Sequence, residues 1–150
     1  MEEKEIGIEV VLLAMVRGWI SSLHQSKPSV ALGTLLAGDR ISCVDEAVIA
    51  KIGDEIVGIS TIAPKGEQMS GEPTIVATYV LHEYRGRGIG ALLLEAAIDR
   101  MIERGLTPIR ADILNTKVFG IIDRLPEEKR NLLKVVDMTM GGMSDFVMNL

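Results

Sequence analysis

Val80-Leu81-His82-Glu83-Tyr84-Arg85-Gly86-Arg87-Gly88-Ile89-Gly90-Ala91 is the stretch on which the reading of this chain turns. A run rich in β-branched residues, Thr74 to Leu81, enters it, and a segment with apolar residues at helical spacing, Ile89 to Arg104, leaves it. Between them the turn carries three glycines and two arginines within six residues. Glycine lets the main chain take left-handed conformations and approach a ligand closely. Free amides at a helix N-terminus, with the helix dipole behind them, favour an anion. Arg85 and Arg87 add fixed positive charge suited to phosphate oxygens. The stretch therefore reads as a pyrophosphate-binding loop between a strand and a helix.

Outward from the loop, the helix after it has Ile89, Leu92, Leu93, Ala96, Ala97 and Met101 on one broad face, with Glu95, Asp99 and Glu103 opposite, and Gly105 ends it. Ile109 to Ile113 follows as a short strand, expected parallel to the one before the helix. Upstream, Ala47 to Ile52 and Ile56 to Ala63 flank Gly53-Asp54-Glu55 as a β-hairpin, and Pro64 to Pro73 is a breaker-rich loop. Near the start, Ile8, Val11, Leu12, Met15, Val16, Trp19, Ile20 and Leu23 fit a helix from about Ile8 to Gln25, while Ile6, Ile8 and Val10 also fit a short strand; both readings stand. A second helix is expected from Pro28 to Ala37. Helices are also expected over Thr116 to Arg124 and Pro126 to Lys134, then a closing hairpin around Gly141-Gly142. The fold class that results is α+β, a mixed and mostly antiparallel central sheet flanked by helices in at most three layers.

At 150 residues the chain is expected to form a single domain, residues 1–150. A net charge of −5 argues against nucleic acid as the main partner and is compatible with a cationic or amine substrate. Cys43 is alone and His24 and His82 are far apart, so no disulfide, thiolate cluster or structural metal site is expected. The apolar run Val10 to Val16 follows Glu2, Glu3 and Glu5 and ends at Arg17, too short and wrongly flanked for a signal peptide or a membrane span. A cytoplasmic location without membrane attachment is the expectation.

Gly86-Arg87-Gly88-Ile89-Gly90-Ala91 also satisfies G-x-G-x-x-A, a variant of the dinucleotide fingerprint, with Asp112 roughly where a ribose-binding acid would stand. Against that reading, His82-Glu83-Tyr84-Arg85 separates the strand from the first glycine, an arginine sits between the first two glycines, and the unit lies mid-chain. A plain β-to-α turn needs one or two glycines, not three at alternate positions with two arginines among them.

Arg85-x-x-Gly88-x-Gly90 resembles the Gln/Arg-x-x-Gly-x-Gly/Ala signature of the GNAT N-acetyltransferases, and the wider run from Tyr79 to Gly90 is similar to that family's extended motif. The resemblance spans about Ala47 to Asn115, weakens toward Leu150, and is poor before residue 45. It implies an acyl-CoA N-acyltransferase-like fold and an acetyl-CoA-dependent transfer to a primary amine of a small molecule or protein. A non-catalytic acyl-CoA-binding module of the same fold is the alternative. By the same resemblance, the amides of Gly86, Arg87, Gly88, Ile89, Gly90 and Ala91, opened by Arg85, would hold the pyrophosphate of acetyl-CoA. The main chain of Tyr79 and Val80, on a strand that splays from its neighbour, would take the pantetheine arm as an added strand is taken. Asn115 matches a position facing that arm, or caps the helix that follows. Homodimers are common among similar proteins.

The chain departs from the pattern at the chemistry. The family's tyrosine acid, seven residues after the Asn, is replaced by Ile122, and Pro73-Thr74 stands where some members carry a glutamate base. Glu72 and His82 are the nearby candidates for a base, and Asp112 and Asp123 read as solvated or capping. The catalytic groups are left unassigned.

Overall fold

The computed structural model describes residues 5–26, 44–65, 71–113, 116–137 and 148–149. Strand β1, Ile6–Leu12, pairs antiparallel with β2, Glu46–Ile52. β2 turns through Gly53 into β3, Glu55–Ala63, and β3 pairs antiparallel with β4, Thr74–Val80. After a single 3₁₀ turn at His82–Tyr84 comes helix α2, Ile89–Glu103; α1, Arg17–Ser26, precedes β2. Strand β5, Ile109–Ile113, is followed by α3, Lys117–Asp123, the short α4, Glu127–Arg130, and β6, Leu133–Asp137. The sheet order is β1-β2-β3-β4-β5-β6, and a two-residue strand β7, Met148–Asn149, pairs with β4.

Alternation along the central strands feeds two cores. Val48, Ala50, Val57, Ile62, Ile75 and Val80 face Leu93, Leu94, Ala97, Ile98 and Met101 of α2, with Val118 and Ile122 of α3 in the same cluster. Ala47, Ile49, Ile59, Ala63 and Tyr79 face the other way, against Leu13, Val16, Ile20 and Leu23. Both faces of the sheet are covered, which is why β2 and β3 read as nearly continuous apolar runs. Gly58 sets the closeness of one layer: a Cβ there would lie 2.8 Å from Leu93 Cδ1 and 3.2 Å from the Tyr79 carbonyl oxygen.

The expected mixed sheet flanked by helices is the observed architecture, and the hairpin, the third β run and the central helix fall where the residue pattern puts them. Other expectations are corrected. Of the two readings open for the first segment the strand holds, over Ile6–Leu12; a 3₁₀ turn follows at Leu13–Met15 and the helix begins only at Arg17, because pairing to β2 overrides the helical spacing. Leu92 is 45% exposed, since the buried face of α2 is centred on Gly90, Leu94, Ala97 and Met101. The helix expected over 126–134 stops at Arg130, and Leu133–Asp137 joins β5 in parallel. The described ends of the expected closing hairpin pair with different strands, β6 with β5 and β7 with β4. The helix expected over 28–37, Cys43 and Asn115 lie outside the described residues.

β4 and β5 touch at one register position, Thr74 with Arg110. Beyond it the two strands part, and the loop that follows β4 stands over the widening gap.

Candidate functional site

Gly86 and Gly88 adopt φ of +82° and +80°, left-handed values open to glycine, and a Cβ on either would meet nothing within 4 Å. The loop can therefore present bare main chain. The Tyr84 amide donates to the Leu81 carbonyl and the Arg85 amide to His82; the next amide to find a main-chain acceptor is Leu92, on Gly88 at 3.2 Å. Between them the amides of Gly86 to Ala91 have no main-chain partner among the described residues, and no side chain caps α2. Six amides in one turn, at the positive end of a four-turn helix, make a cradle that can receive an anion.

The cradle opens into a cleft of about 320 Å³. One wall is Val80, Tyr84, Arg85, Gly86, Gly88, Ile89, Gly90 and Ala91; the other is Lys117, Ile121 and Arg124 of α3. Three cations line the cleft and no carboxylate does. Arg85 also fastens the loop to its strand: Nε donates to the Val80 carbonyl at 2.9 Å, and the guanidinium lies 5.3 Å from the centre of the Tyr79 ring. Arg87 stacks over Tyr84 at 5.3 Å and stands outside the cleft lining.

Register decides which main-chain groups of β4 face the gap. Leu81 donates to the Val57 carbonyl, so in the alternating antiparallel ladder Tyr79 is exchanged with Ile59, while Thr78 and Val80 point away from β3. The 2.8 Å contact between Ser60 Oγ and Thr78 Oγ1 fits this, because side chains of non-hydrogen-bonded pairs approach most closely. The outward pair is thus Thr78 and Val80, not Tyr79 and Val80. Tyr79 instead buries its side chain, 1% exposed, under Arg85. That edge is also partly covered: parallel pairing sets Met148 beside Thr78 and Asn149 beside Tyr79.

The titratable candidates sit less favourably. Glu72 accepts from Lys134 Nζ at 2.5 Å, and Arg110 lies 3.5 Å from its other oxygen, giving charge rather than a good hydrogen bond. The Lys134 hydrogen bond foremost holds its carboxyl below the usual carboxylate range, which weakens it as a base. His82 is exposed on the 3₁₀ turn and is not part of the cleft lining. Ile122 is 8% exposed, in the core rather than at the cleft. Asp123 is exposed at the end of α3. Among the described residues no cluster of His, Cys, Asp or Glu could hold a metal ion, and no helix is long and apolar enough to cross a membrane.

Two sets of cleft residues are new relative to the sequence reading. Tyr84 sits inside the quoted motif; its hydroxyl donates to Glu55 Oε2 at 3.1 Å, and that bond foremost pushes the phenol above its ordinary range. Lys117, Ile121 and Arg124 follow i, i+4, i+7 spacing, a signal present in the sequence, but nothing in it says which partner that helical face meets.

A family model described as the acetyltransferase (GNAT) family matches residues 19–118. Among curated proteins, none matches the chain. Solved structures of similar fold include the GNAT family N-acetyltransferase YhbS from Escherichia coli in complex with CoA, at 15% identity and TM-score 0.60, covering 80% of this chain and 68% of that one. An IAA acetyltransferase from Bacillus cereus aligns at 17% identity and TM-score 0.58, over 80% of this chain and 75% of that one. An aminoglycoside acetyltransferase from an uncultured soil metagenomic sample aligns at 19% identity and TM-score 0.54, over 82% and 91%.

Proposed function

The chain belongs to the acetyltransferase (GNAT) family, whose members draw on acetyl-CoA, and from that premise we propose that it moves the acetyl group to a primary amine, of a small molecule or a protein, by direct attack. The observation that carries the proposal is the row of unpartnered amides from Gly86 to Ala91 at the head of α2, in a cleft lined by cations.

Acetyl-CoA supplies the activated acyl group as a thioester. In this reading Gly86 to Ala91 hold its diphosphate, with Arg85 adding charge beside them. Thr78 and the Val80 amide offer outward main-chain groups to the pantetheine arm, which lies along β4 from the loop back toward Thr74, while the Val80 carbonyl is held by Arg85. For the arm to lie there, Met148 and Asn149 must leave the edge. An outward amide of β4 then stabilises the negative charge that grows on the acetyl oxygen. The new N–C bond forms as the C–S bond breaks; the amine gives its proton to water and the thiolate takes one from solvent. Positioning contributes several kcal/mol to such a transfer without a dedicated acid or base.

A binding module without turnover is the second reading, favoured by Ile122, which has no proton to give and is packed into the core. Incubation with acetyl-CoA and a panel of amines separates the two. Release of free CoA with at least one amine is the expected result. Tight CoA binding without release across the panel transfers the assignment to the second reading, and no CoA binding at all removes both.

A further inference from the structure

Among the described residues, Ser60, Thr61, Thr74 and Thr78 are the buried polar side chains, and Ser60 and Thr78 meet each other. Ser60 lies on the face of β3 that also carries Gly58 and Ile62, and Thr78 on the face of β4 that carries Val80, so both point toward α2. The core on that face is apolar, built from Val48, Ala50, Ile62, Val80 and Leu93. Neither hydroxyl is exposed, and the 2.8 Å hydrogen bond between them leaves neither unsatisfied. Apolar groups of similar shape on both strands would fill the same space at nearly the same stability. What the hydroxyl pair adds is geometry, because its bond forms in one register of β3 against β4.

That register is at risk close by. Thr61 faces Ala77 but Ile62 faces Ile75, so β4 carries one extra residue, Val76, as a bulge. Ser60 and Thr78 are the second pair beyond it. If the bulge moved past Thr78, that residue would slip by one position against β3. Its side chain would turn to the opposite face of the sheet, and its main-chain groups would turn from the gap back toward β3. Those are the groups offered to the pantetheine arm.

We propose that Ser60, acting through Thr78, is a positioning residue of the donor site: the hydroxyl pair locks the bulge at Val76 and so fixes which main-chain groups of β4 meet the arm. The proposal rests on CoA being the ligand of the cleft. Thermal melting and calorimetric titration with CoA test it, on the native chain, Ser60→Ala, Thr78→Val and the Ser60→Ala/Thr78→Val double variant. Titrations run well below every melting temperature, so that loss of folded protein does not enter the affinity. Each single substitution leaves one hydroxyl buried without its partner and is expected to lower the melting temperature by roughly 2–6 °C. The double variant regains most of that loss. It nevertheless binds CoA about tenfold more weakly, because only about a tenth of its molecules hold the binding register. The swap Ser60→Thr/Thr78→Ser, which keeps a hydroxyl on each strand, restores the affinity lost in the double variant. CoA affinity that recovers with stability in the double variant, or that no substitution changes, makes the pair part of the core alone and overturns the proposal while the donor site stands. So does a swap that binds as weakly as the double variant. A native chain that binds no CoA removes the donor site and this proposal with it.

Discussion

The two ends of α2 both carry arginines, and they use them in opposite ways. At the C-terminal end Arg100 grips Glu46 through Nε and Nη2 at 3.0 and 2.9 Å, while Arg104 reaches Asp45 at 2.6 Å and Glu46 at 2.9 Å. Those cations answer carboxylates supplied by β2 and the residue before it, and they tie the helix to the sheet. At the N-terminal end six amides and the charges of Arg85 and Arg124 face a cleft without a carboxylate in its lining. A closed network of charge is structure. An open one of the same residue types leaves charge for a ligand to meet, which is the basis of the proposed donor site.

The comparison breaks first at Gly88. Gly88→Val forces a β-branched residue to φ near +80° and fills the space the cradle needs. A loss of CoA affinity of about 100-fold or more is expected, with a folding cost of only ~1–2 kcal/mol. Calorimetry and thermal melting read the two separately, and a variant that binds as well as the native chain would remove the cradle from the account.

At the other end Glu46→Gln is expected to cost about 1–2 kcal/mol of stability and to leave CoA affinity unchanged. The Arg100 hydrogen bond foremost holds the Glu46 carboxyl below its usual range, so its contribution is present above the unfolded value and disappears as the pH falls through the folded one. Melting temperatures of native and variant chains should therefore converge as the pH drops below about 4.5. Converging at alkaline pH instead would show that the ion pair is not the source.

A smaller effect concerns the covered edge. Removing residues 148–150 is expected to tighten CoA binding by about three- to tenfold, because the native chain must first release Thr78 and Tyr79 from the C-terminal strand. Weaker binding in the shortened chain would mean that the strand supports the site instead. Smallest of all, Glu72→Gln should change kcat/KM by less than about threefold and leave the pH–rate profile in place, since Glu72 is spent on Lys134 and Arg110. A lost limb in that profile would make Glu72 the base after all.

Much of this was legible without coordinates, and the reasons are specific. Three glycines and two arginines between a β run and an amphipathic segment have few structural outlets, so the loop, β4 and α2 could be placed by residue number. Local pattern failed where partners decide. Ile8, Val11 and Leu12 satisfy a helix and a strand alike, and only the register with Ala50, Ala47 and Glu46 selects the strand. Leu133 to Asp137 could extend a helix as well as form β6, and the parallel ladder with β5 settles it.

By itself the sequence determined that a glycine-rich turn with free amides joins a strand to a helix, because left-handed glycines, free amides and a dipole are properties of a dozen consecutive residues. Only the tertiary structure decided that Thr78 and Val80, rather than Tyr79, face the gap, that Lys117 and Arg124 form the far wall of the cleft, and that Met148–Asn149 lies along the edge of β4. Those are relations between residues 18 to 70 positions apart, set by strand register and layer packing, and no local pattern encodes them.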